Sequence, residues 1–194
     1  SLFGHMVRDA RAALDFVTCL TVTGRKMARC STGEANTPVY PALLNKLPTV
    51  DGSRLSLAGY SLGGNVALHA AALDQRATAV AAFAAFTPMR TDFESRPTGG
   101  LRRLFEMHAL LPRLGFFAAA PGGVPYDYPE LLRSIKPRPT LLHTPSRDRD
   151  ANATEVDACI QAVKWAALTQ TRADTPSQMA TAESDGLAAW LKKL

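Results

Sequence analysis

The residues with the clearest chemical potential lie in the run G-Y-S-L-G at positions 59–63. A serine flanked by small residues two positions before and after it can occupy a sharp turn between a strand and a helix, where its hydroxyl is exposed. Such a serine can attack an acyl carbon, while the next backbone N–H holds the negative charge on the carbonyl oxygen. The spacing makes Ser61 a candidate nucleophile and the Leu62 N–H a candidate oxyanion donor, with Gly59 and Gly63 allowing the turn.

The sequence on either side of this run predicts a strand, a turn and a helix in that order. Residues 55–58 are mostly apolar and predict a short strand, and the alanine-rich run 62–73 predicts a buried helix. Gly64 adds a further small residue for close packing of that helix. The positive end of the helix dipole would favour negative charge next to Ser61.

The remaining elements alternate between helices and strands. Alternation of this kind predicts parallel strands in a layered α/β sheet, and a chain of 194 residues fits a single domain over 1–194. We predict helices over 5–18, 101–111, 128–135 and 152–167 and the end of a C-terminal helix over 187–194, with further strands over 78–86, 139–144 and 168–173.

Two segments interrupt this alternation because they are rich in proline, glycine and polar residues. Residues 21–53 predict a long loop or an insertion, since a loop of that length is unusual within a compact domain. Residues 89–127 predict an irregular, cap-like region, because repeated Pro and Gly cut this segment into short pieces.

Several pieces of the chain resemble the α/β-hydrolase superfamily. The run G-Y-S-L-G-G-N-V-A-L-H-A-A-A at 59–72 is similar to its nucleophile turn. The pieces F-T-P-M-R at 86–90, P-Y-D-Y at 125–128 and residues 135–150 resemble its dienelactone-hydrolase-like and acetyl-xylan-esterase-like branch. The resemblance implies a three-layer αβα sandwich with a parallel sheet and hydrolysis of a carboxylic ester without a cofactor. Because the chain resembles the C-terminal part of such a hydrolase, we expect the N-terminal strands to be missing.

The resemblance also implies which carboxylate supports the reaction. In this family the acid follows a later strand, and Asp148 lies four residues beyond Thr144, with Asp150 as the alternative. The acid would orient and stabilise a histidine that accepts the serine proton. A surface carboxylate paired with Arg147 or Arg149 would be the structural alternative.

The histidine that should act as the base is missing from its usual place. The fold places it after the last strand, but residues 168–194 contain no histidine, and Gln178 near that place cannot act as a general base. Two histidines could substitute for it: His108 in the cap-like region and His143 near the end of the strand that precedes Asp148. Of the other two, we expect His69, eight residues beyond Ser61, to pack on the helix that follows it, while His5 lies near the chain start.

Composition excludes several other classes of protein. The net charge of +5 is scattered, with no dense basic run, so nucleic-acid binding is not expected. No apolar run approaches the roughly 18 residues that a membrane span requires. Three cysteines without a metal or redox spacing weakly favour a reducing compartment such as the cytoplasm. The run from Asp148 to Asn152 lacks the glycine that a calcium loop needs, so no metal is expected.

Two functions therefore remain open from the sequence. The first is a serine hydrolase that acts on a small-molecule carboxylic ester through Ser61. The alternative is a non-catalytic or truncated protein of the same fold, which the absent histidine favours. A sheet with few strands would also expose an edge, and a second copy or a partner chain could cover that edge.

Overall fold

The computed structural model describes residues 1–22 and 50–194. Residues 23–49, which carry most of the predicted loop or insertion at 21–53, lie outside the described residues. The helices and strands are α1 (Leu2–Val22), β1 (Leu55–Tyr60), α2 (Leu62–Leu73), β2 (Ala77–Phe83), α3 (Tyr128–Ile135), β3 (Thr140–His143), α4 (Ala153–Val163), β4 (Leu168–Thr171) and α5 (Thr181–Leu191).

The strands form one parallel sheet in the order β1-β2-β3-β4. At its C-terminal edge Tyr60 lies opposite Phe83, Phe83 opposite His143, and His143 opposite Thr171. Because the four strands end in register, the loops that follow them meet at a single edge of the sheet. In an open parallel sheet, this edge is where ligands bind.

Helices cover both faces of the sheet and make three layers. The larger apolar core joins α1, α2, α3 and α4 to one face, while a smaller cluster on the other face packs Phe83 and Leu141 against Leu187 and Trp190 of α5. The expected αβα sandwich with a parallel sheet is confirmed. No helix in the described ranges combines the length and apolar character needed to cross a membrane.

The helix α2 is buried because it lies between β1, β2, α1 and α3. Its C-terminal end is tied to the neighbouring elements by Arg138, whose guanidinium donates to the carbonyl oxygens of Ala71, Asp74 and Ala77 at 2.6, 3.1 and 2.8 Å. The bonds to Ala71 and Asp74 satisfy carbonyl groups that the end of a helix leaves without intrahelical donors. The C-terminal end of the helix that follows Ser61 is therefore held against the start of β2.

The predicted bounds are right for the two helices at 62–73 and 128–135 and need correction elsewhere. The strand predicted over 78–86 ends at Phe83, because Ala84 adopts a left-handed φ of 50°. The α-helix predicted over 101–111 is wrong: a π-helical turn spans Arg103–Met107, followed by 3-10 turns at Pro112–Phe117 and Pro121–Gly123.

Candidate active site

Ser61 occupies a strained turn between β1 and α2. Its φ of 50° and ψ of −120° place a non-glycine residue in a region that costs about 1–3 kcal/mol. Two backbone bonds hold this conformation: the Ser61 N–H donates to the Phe83 carbonyl oxygen at 2.8 Å, and the Asn65 N–H donates to that of Ser61 at 3.1 Å. Strain of this kind at a serine is the conformation expected of an exposed nucleophile.

Glycines make this turn possible, but not the pair that the sequence predicts. A Cβ on Gly59 would lie 2.2 Å from the Gly63 carbonyl oxygen, and one on Gly64 would lie 2.9 Å from both the Gly59 carbonyl oxygen and the Ala85 Cβ. A Cβ on Gly63 would meet nothing within 4 Å. The turn therefore depends on Gly59 and Gly64, and the expectation that Gly63 is required was wrong.

Leu62 is the first residue of α2. The N–H groups of a helix's first turn have no partner within the helix, and they carry the positive end of its dipole. The Leu62 N–H thus has the position and the electrostatic character of an oxyanion donor.

A pocket of about 360 Å³ opens beside Ser61. Its apolar lining includes Leu2 and Met6 of α1, together with Leu104 and Leu110. The remaining lining is Ser61, Leu62, Asn65, Ala84, Ala85, Phe86, Thr87, Gly99, Gly100, Arg103, His108, Tyr128 and Asp150. The segment predicted to be cap-like thus contributes residues to this pocket.

Two buried carboxylates shape the irregular segment that lines the pocket. Asp92 is 1% exposed, and its two oxygens accept backbone N–H groups of Thr98, Gly99, Leu101 and Arg102 at 2.8 to 3.0 Å. Burial raises the pKa of Asp92, but these four donors outweigh it and bring the pKa below the usual range. The side chain of Asp127 caps α3 and accepts the N–H groups of residues 89 and 90, both at 2.8 Å.

The two candidate acids follow β3 and have different surroundings. Asp148 is 8% exposed; its Oδ1 accepts the Asp150 N–H at 2.7 Å, and its Oδ2 is buried without a hydrogen-bond partner among the described residues. Asp150 lines the Ser61 pocket, where its carboxylate is paired with the Arg103 guanidinium. Thr87 ties this loop to the end of β2, because its hydroxyl accepts the Asn152 N–H at 2.7 Å.

The histidines lie in three different environments. His108 is exposed and lines the same pocket as Ser61. His143 is buried towards α5, with its Nδ1 2.9 Å from the Thr171 hydroxyl and its Nε2 3.9 Å from a Glu183 oxygen; burial lowers its pKa, which Glu183 opposes. Within the described ranges, no histidine forms a hydrogen bond with the Ser61 hydroxyl.

His69 packs inside the helical layer, as its position on α2 predicts. Its Nδ1 lies 2.9 Å from the Asn65 carbonyl oxygen, and its Nε2 lies 3.0 Å from the Tyr126 hydroxyl. Burial lowers the pKa of His69, so its imidazole is neutral at pH 7.

The loop after β4 reaches the nucleophile turn without bringing a base. The Ser177 hydroxyl lies 2.6 Å from that of Tyr60, the residue before Ser61, and the Arg147 N–H donates to the Thr175 carbonyl oxygen at 3.2 Å. Gln178 follows directly. This loop therefore runs past the candidate acid and the nucleophile, at the place where the resemblance implies a histidine.

Comparison with known proteins identifies the fold. Residues 40–96, less than half of the chain, match the model of the acetyl xylan esterase family. No curated protein sequence is significantly similar to the chain. A glucuronoyl esterase from Solibacter usitatus superposes with a TM-score of 0.63 at 13% identity, covering 96% of this chain and 47% of that protein. The chain has an α/β-hydrolase fold.

Two further hydrolases show the same similarity. A glucuronoyl esterase of carbohydrate esterase family 15 from Caldicellulosiruptor kristjansonii gives a TM-score of 0.62 at 19% identity, covering 77% of this chain and 45% of that protein. An acetyl xylan esterase from Paenibacillus sp. R4 gives a TM-score of 0.54 at 19% identity, covering 78% of this chain and 49% of that protein. This chain spans less than half the length of each of these proteins. The expected resemblance to the acetyl-xylan-esterase-like branch is confirmed.

The hydrolase fold brings some of the predicted residues together and separates others. Ser61, Leu62, His108 and Asp150 line one pocket, whereas Asp148 and His143 do not line it. Asp148 is joined to the pocket through its hydrogen bond with the Asp150 N–H. Pocket residues that the sequence did not single out include Asn65, Arg103 and Tyr128. A signal existed for the first, since Asn65 is a polar residue in an otherwise apolar first half of α2. No metal-binding cluster of three His, Cys, Asp or Glu side chains occurs in the described ranges.

Substitution of the three glycines by alanine tests the geometry of the turn. We expect Gly63→Ala to raise the free energy of unfolding by up to about 1 kcal/mol, since alanine is the better helix former and has space. Gly64→Ala should lower it by about 1–3 kcal/mol through overpacking, and Gly59→Ala by more. Urea unfolding followed by circular dichroism measures all three. Equal destabilisation by Gly63→Ala and Gly64→Ala would contradict the conclusion that the turn requires Gly64 and not Gly63.

Replacing Asp92 tests what holds the pocket wall. Asp92→Asn should lower the free energy of unfolding by about 2–3 kcal/mol, because an amide cannot accept four N–H donors. The lowered folded-state pKa means that this stabilisation is present above the unfolded pKa, about 3.9, and is lost as the pH falls through the folded value. The difference between wild type and variant, measured by urea unfolding, should therefore shrink below about pH 4. Glu94→Gln, an exposed carboxylate of the same segment, is the control and should change little.

Proposed function

We propose that this chain is a serine hydrolase that cleaves a small carboxylic ester through Ser61. The observation that carries the proposal is a strained serine that lines a pocket and stands directly before a buried helix. The family match and the esterases among the structural neighbours support the same reaction class. No cofactor is required by this chemistry, and a cytoplasmic location remains a prediction from the cysteine content.

The reaction would proceed through an acyl-enzyme. The Ser61 hydroxyl attacks the ester carbonyl carbon, and the Leu62 N–H donates to the oxygen that becomes negative. A base accepts the serine proton and returns it to the departing alcohol; water then attacks the acyl-enzyme with the help of the same base and releases the acid.

We assign the base to His108, because His108 is the histidine that shares the pocket with Ser61 in the described part of the chain. The imidazole of His143 is directed to Thr171 and Glu183 instead. The His108 backbone N–H donates to the Arg103 carbonyl oxygen at 3.0 Å and closes the π-helical turn. This short turn is what presents the imidazole to the pocket.

We assign the supporting acid to Asp148. Its buried Oδ2 lacks a donor, and an imidazole N–H would satisfy it, whereas the Asp150 carboxylate is already paired with Arg103. Burying an acceptor without a partner destabilises the protein. A hydrogen bond to this oxygen is therefore more favourable than one to an exposed carboxylate.

A non-catalytic role in binding is the second candidate function. The observation that favours it is the absence of a hydrogen bond between Ser61 and any histidine of the described ranges. In such a protein Ser61→Ala would leave the ligand affinity unchanged, and the wild-type chain would not react with a probe for activated serines.

Labelling with a fluorophosphonate probe and turnover of p-nitrophenyl acetate test the nucleophile and the base. We expect Ser61→Ala to abolish both, and His108→Ala to lower kcat by about 10²–10⁴, the usual contribution of general acid–base catalysis. His143→Gln, the control, should stay within a few-fold of wild type once the folded fraction is matched. Absence of Ser61-dependent labelling would contradict the proposal that the chain is a serine hydrolase. An active His108→Ala variant would contradict only the assignment of His108 as the base.

The two carboxylates can be separated by matched amide substitutions. Asp148→Asn should lower kcat by at least about 10², because the imidazole loses the charge that orients and stabilises it. Asp150→Asn should cost less than about tenfold, since the Asp150 charge is balanced by Arg103. Kinetics with p-nitrophenyl acetate on folded protein measure both, and the reverse order of effects would transfer the role to Asp150.

A further inference from the structure

The floor of the Ser61 pocket contains two polar side chains that the proposed reaction does not use. Asn65 and Tyr128 both line the pocket, and they are only 4% and 2% exposed. Polar groups buried to this extent normally have hydrogen-bond partners. Their placement under the nucleophile therefore calls for an explanation.

The side chain of Asn65 is only partly satisfied by the protein, since it hydrogen-bonds with Tyr128 but its carboxamide oxygen has no donor within the described ranges. Asn65 lies one turn beyond Ser61 on α2, and its backbone N–H is fixed by the Ser61 carbonyl oxygen at 3.1 Å. Its carboxamide Oδ1 is buried and has no hydrogen-bond partner in the described residues. Burying such an acceptor without a donor is destabilising, and a ligand that brings a hydroxyl there gains an unusually favourable bond.

Tyr128 provides a second polar group in a rigid setting. Its ring stacks on Phe86 with centroids 4.1 Å apart and an interplanar angle of 15°. The His69 ring lies nearly perpendicular to it, with centroids 6.1 Å apart. Burial raises the pKa of Tyr128 far above its usual range, which the neighbouring Asn65 side chain partly opposes. The hydroxyl is therefore neutral at all ordinary pH values, and it can both donate and accept a hydrogen bond.

The position of these two groups decides which part of an ester they would meet. The exposed side chains of His108 and Asp150 lie at the pocket's open rim, where the alcohol must leave for solvent. The acyl group stays bound to Ser61 after the first step, so it is the part that lies against the buried floor. The apolar wall beside this floor, with Met6 and Leu104, suits the acyl carbons.

We propose that Asn65, assisted by Tyr128, binds a hydroxyl group on the acyl part of the substrate, so that the pocket selects short hydroxyacyl esters over alkyl esters of the same size. This inference rests on the proposed function for the part played by Ser61. Asn65 is thus a specificity residue: the hydroxyl of the acyl group donates to its Oδ1, while Tyr128 offers a second bond to the same hydroxyl.

Ethyl glycolate and ethyl propionate form a matched pair for the kinetic test, since a hydroxyl in the first replaces a methyl in the second. We expect Asn65→Leu, which keeps the side chain's size, to lower the ratio of kcat/KM for glycolate over propionate about tenfold. Intrinsic reactivity cancels, because the two esters are compared in wild type and variant. Glu94→Gln, the control, changes an exposed residue that does not line the pocket and should leave the ratio unchanged.

A binding measurement separates this inference from the proposed function. Ser61→Ala protein is titrated with each ester by ligand-observed NMR, and we expect glycolate to bind several-fold tighter, with the preference lost when Asn65→Leu is added. Binding preference without turnover in wild type would contradict the proposed function alone. Equal binding of the two esters, or a preference that survives Asn65→Leu, would overturn the inference. Should Asn65→Leu fail to fold, Tyr128→Phe replaces it, and an unchanged ratio in that variant would count equally against the proposal.

Discussion

The contact between Gly59 and Gly64 across the Ser61 turn is the constraint on which the site depends. It brings the end of β1 so close to the start of α2 that a single Cβ would fill the gap. The turn left between them forces Ser61 to a φ of 50°, a strain that the Phe83 carbonyl oxygen helps to hold. Since β2 supplies that oxygen, the geometry of Ser61 depends on strand pairing as well as on its own loop.

Buried carboxylates hold the irregular segments around this serine in place by accepting hydrogen bonds from their backbone N–H groups. Asp92 gathers four N–H groups of one irregular segment, and Asp127 joins the residues after β2 to the start of α3. Neither segment has the regular hydrogen bonds of a helix or strand, so each depends on a side chain to satisfy its backbone. Ionised carboxylates suit this task, because each oxygen accepts two donors and the bonds are charge-assisted.

The sequence predicts those features whose cause is local. The bounds of α2 follow from an apolar, alanine-rich run that begins directly after Ser61, and the predicted bounds of both α2 and α3 are confirmed. The early end of β2 at Ala84 could not be predicted, since nothing in an alanine-rich run indicates a left-handed residue. The pairing of Asp92 with residues 98–102, and the approach of Asn65 to Tyr128, depend on tertiary contacts that no periodicity records.

The difference between local causes and tertiary contacts also explains why the sequence predicts the base less well than the rest of the site. The candidate nucleophile and the candidate oxyanion donor belong to one strand–turn–helix unit, so a short motif predicts both. The base must come from a different segment, and only the packing of that segment on the sheet can bring an imidazole to the serine. In this chain the loop after β4 is anchored against Tyr60 through Ser177, yet carries Gln178 where an imidazole is needed. We propose that the Ser61 proton moves instead toward the rim of the pocket, where His108 follows a π-helical turn. A base on the rim would serve the departing alcohol directly and leave the buried floor free to recognise the acyl group.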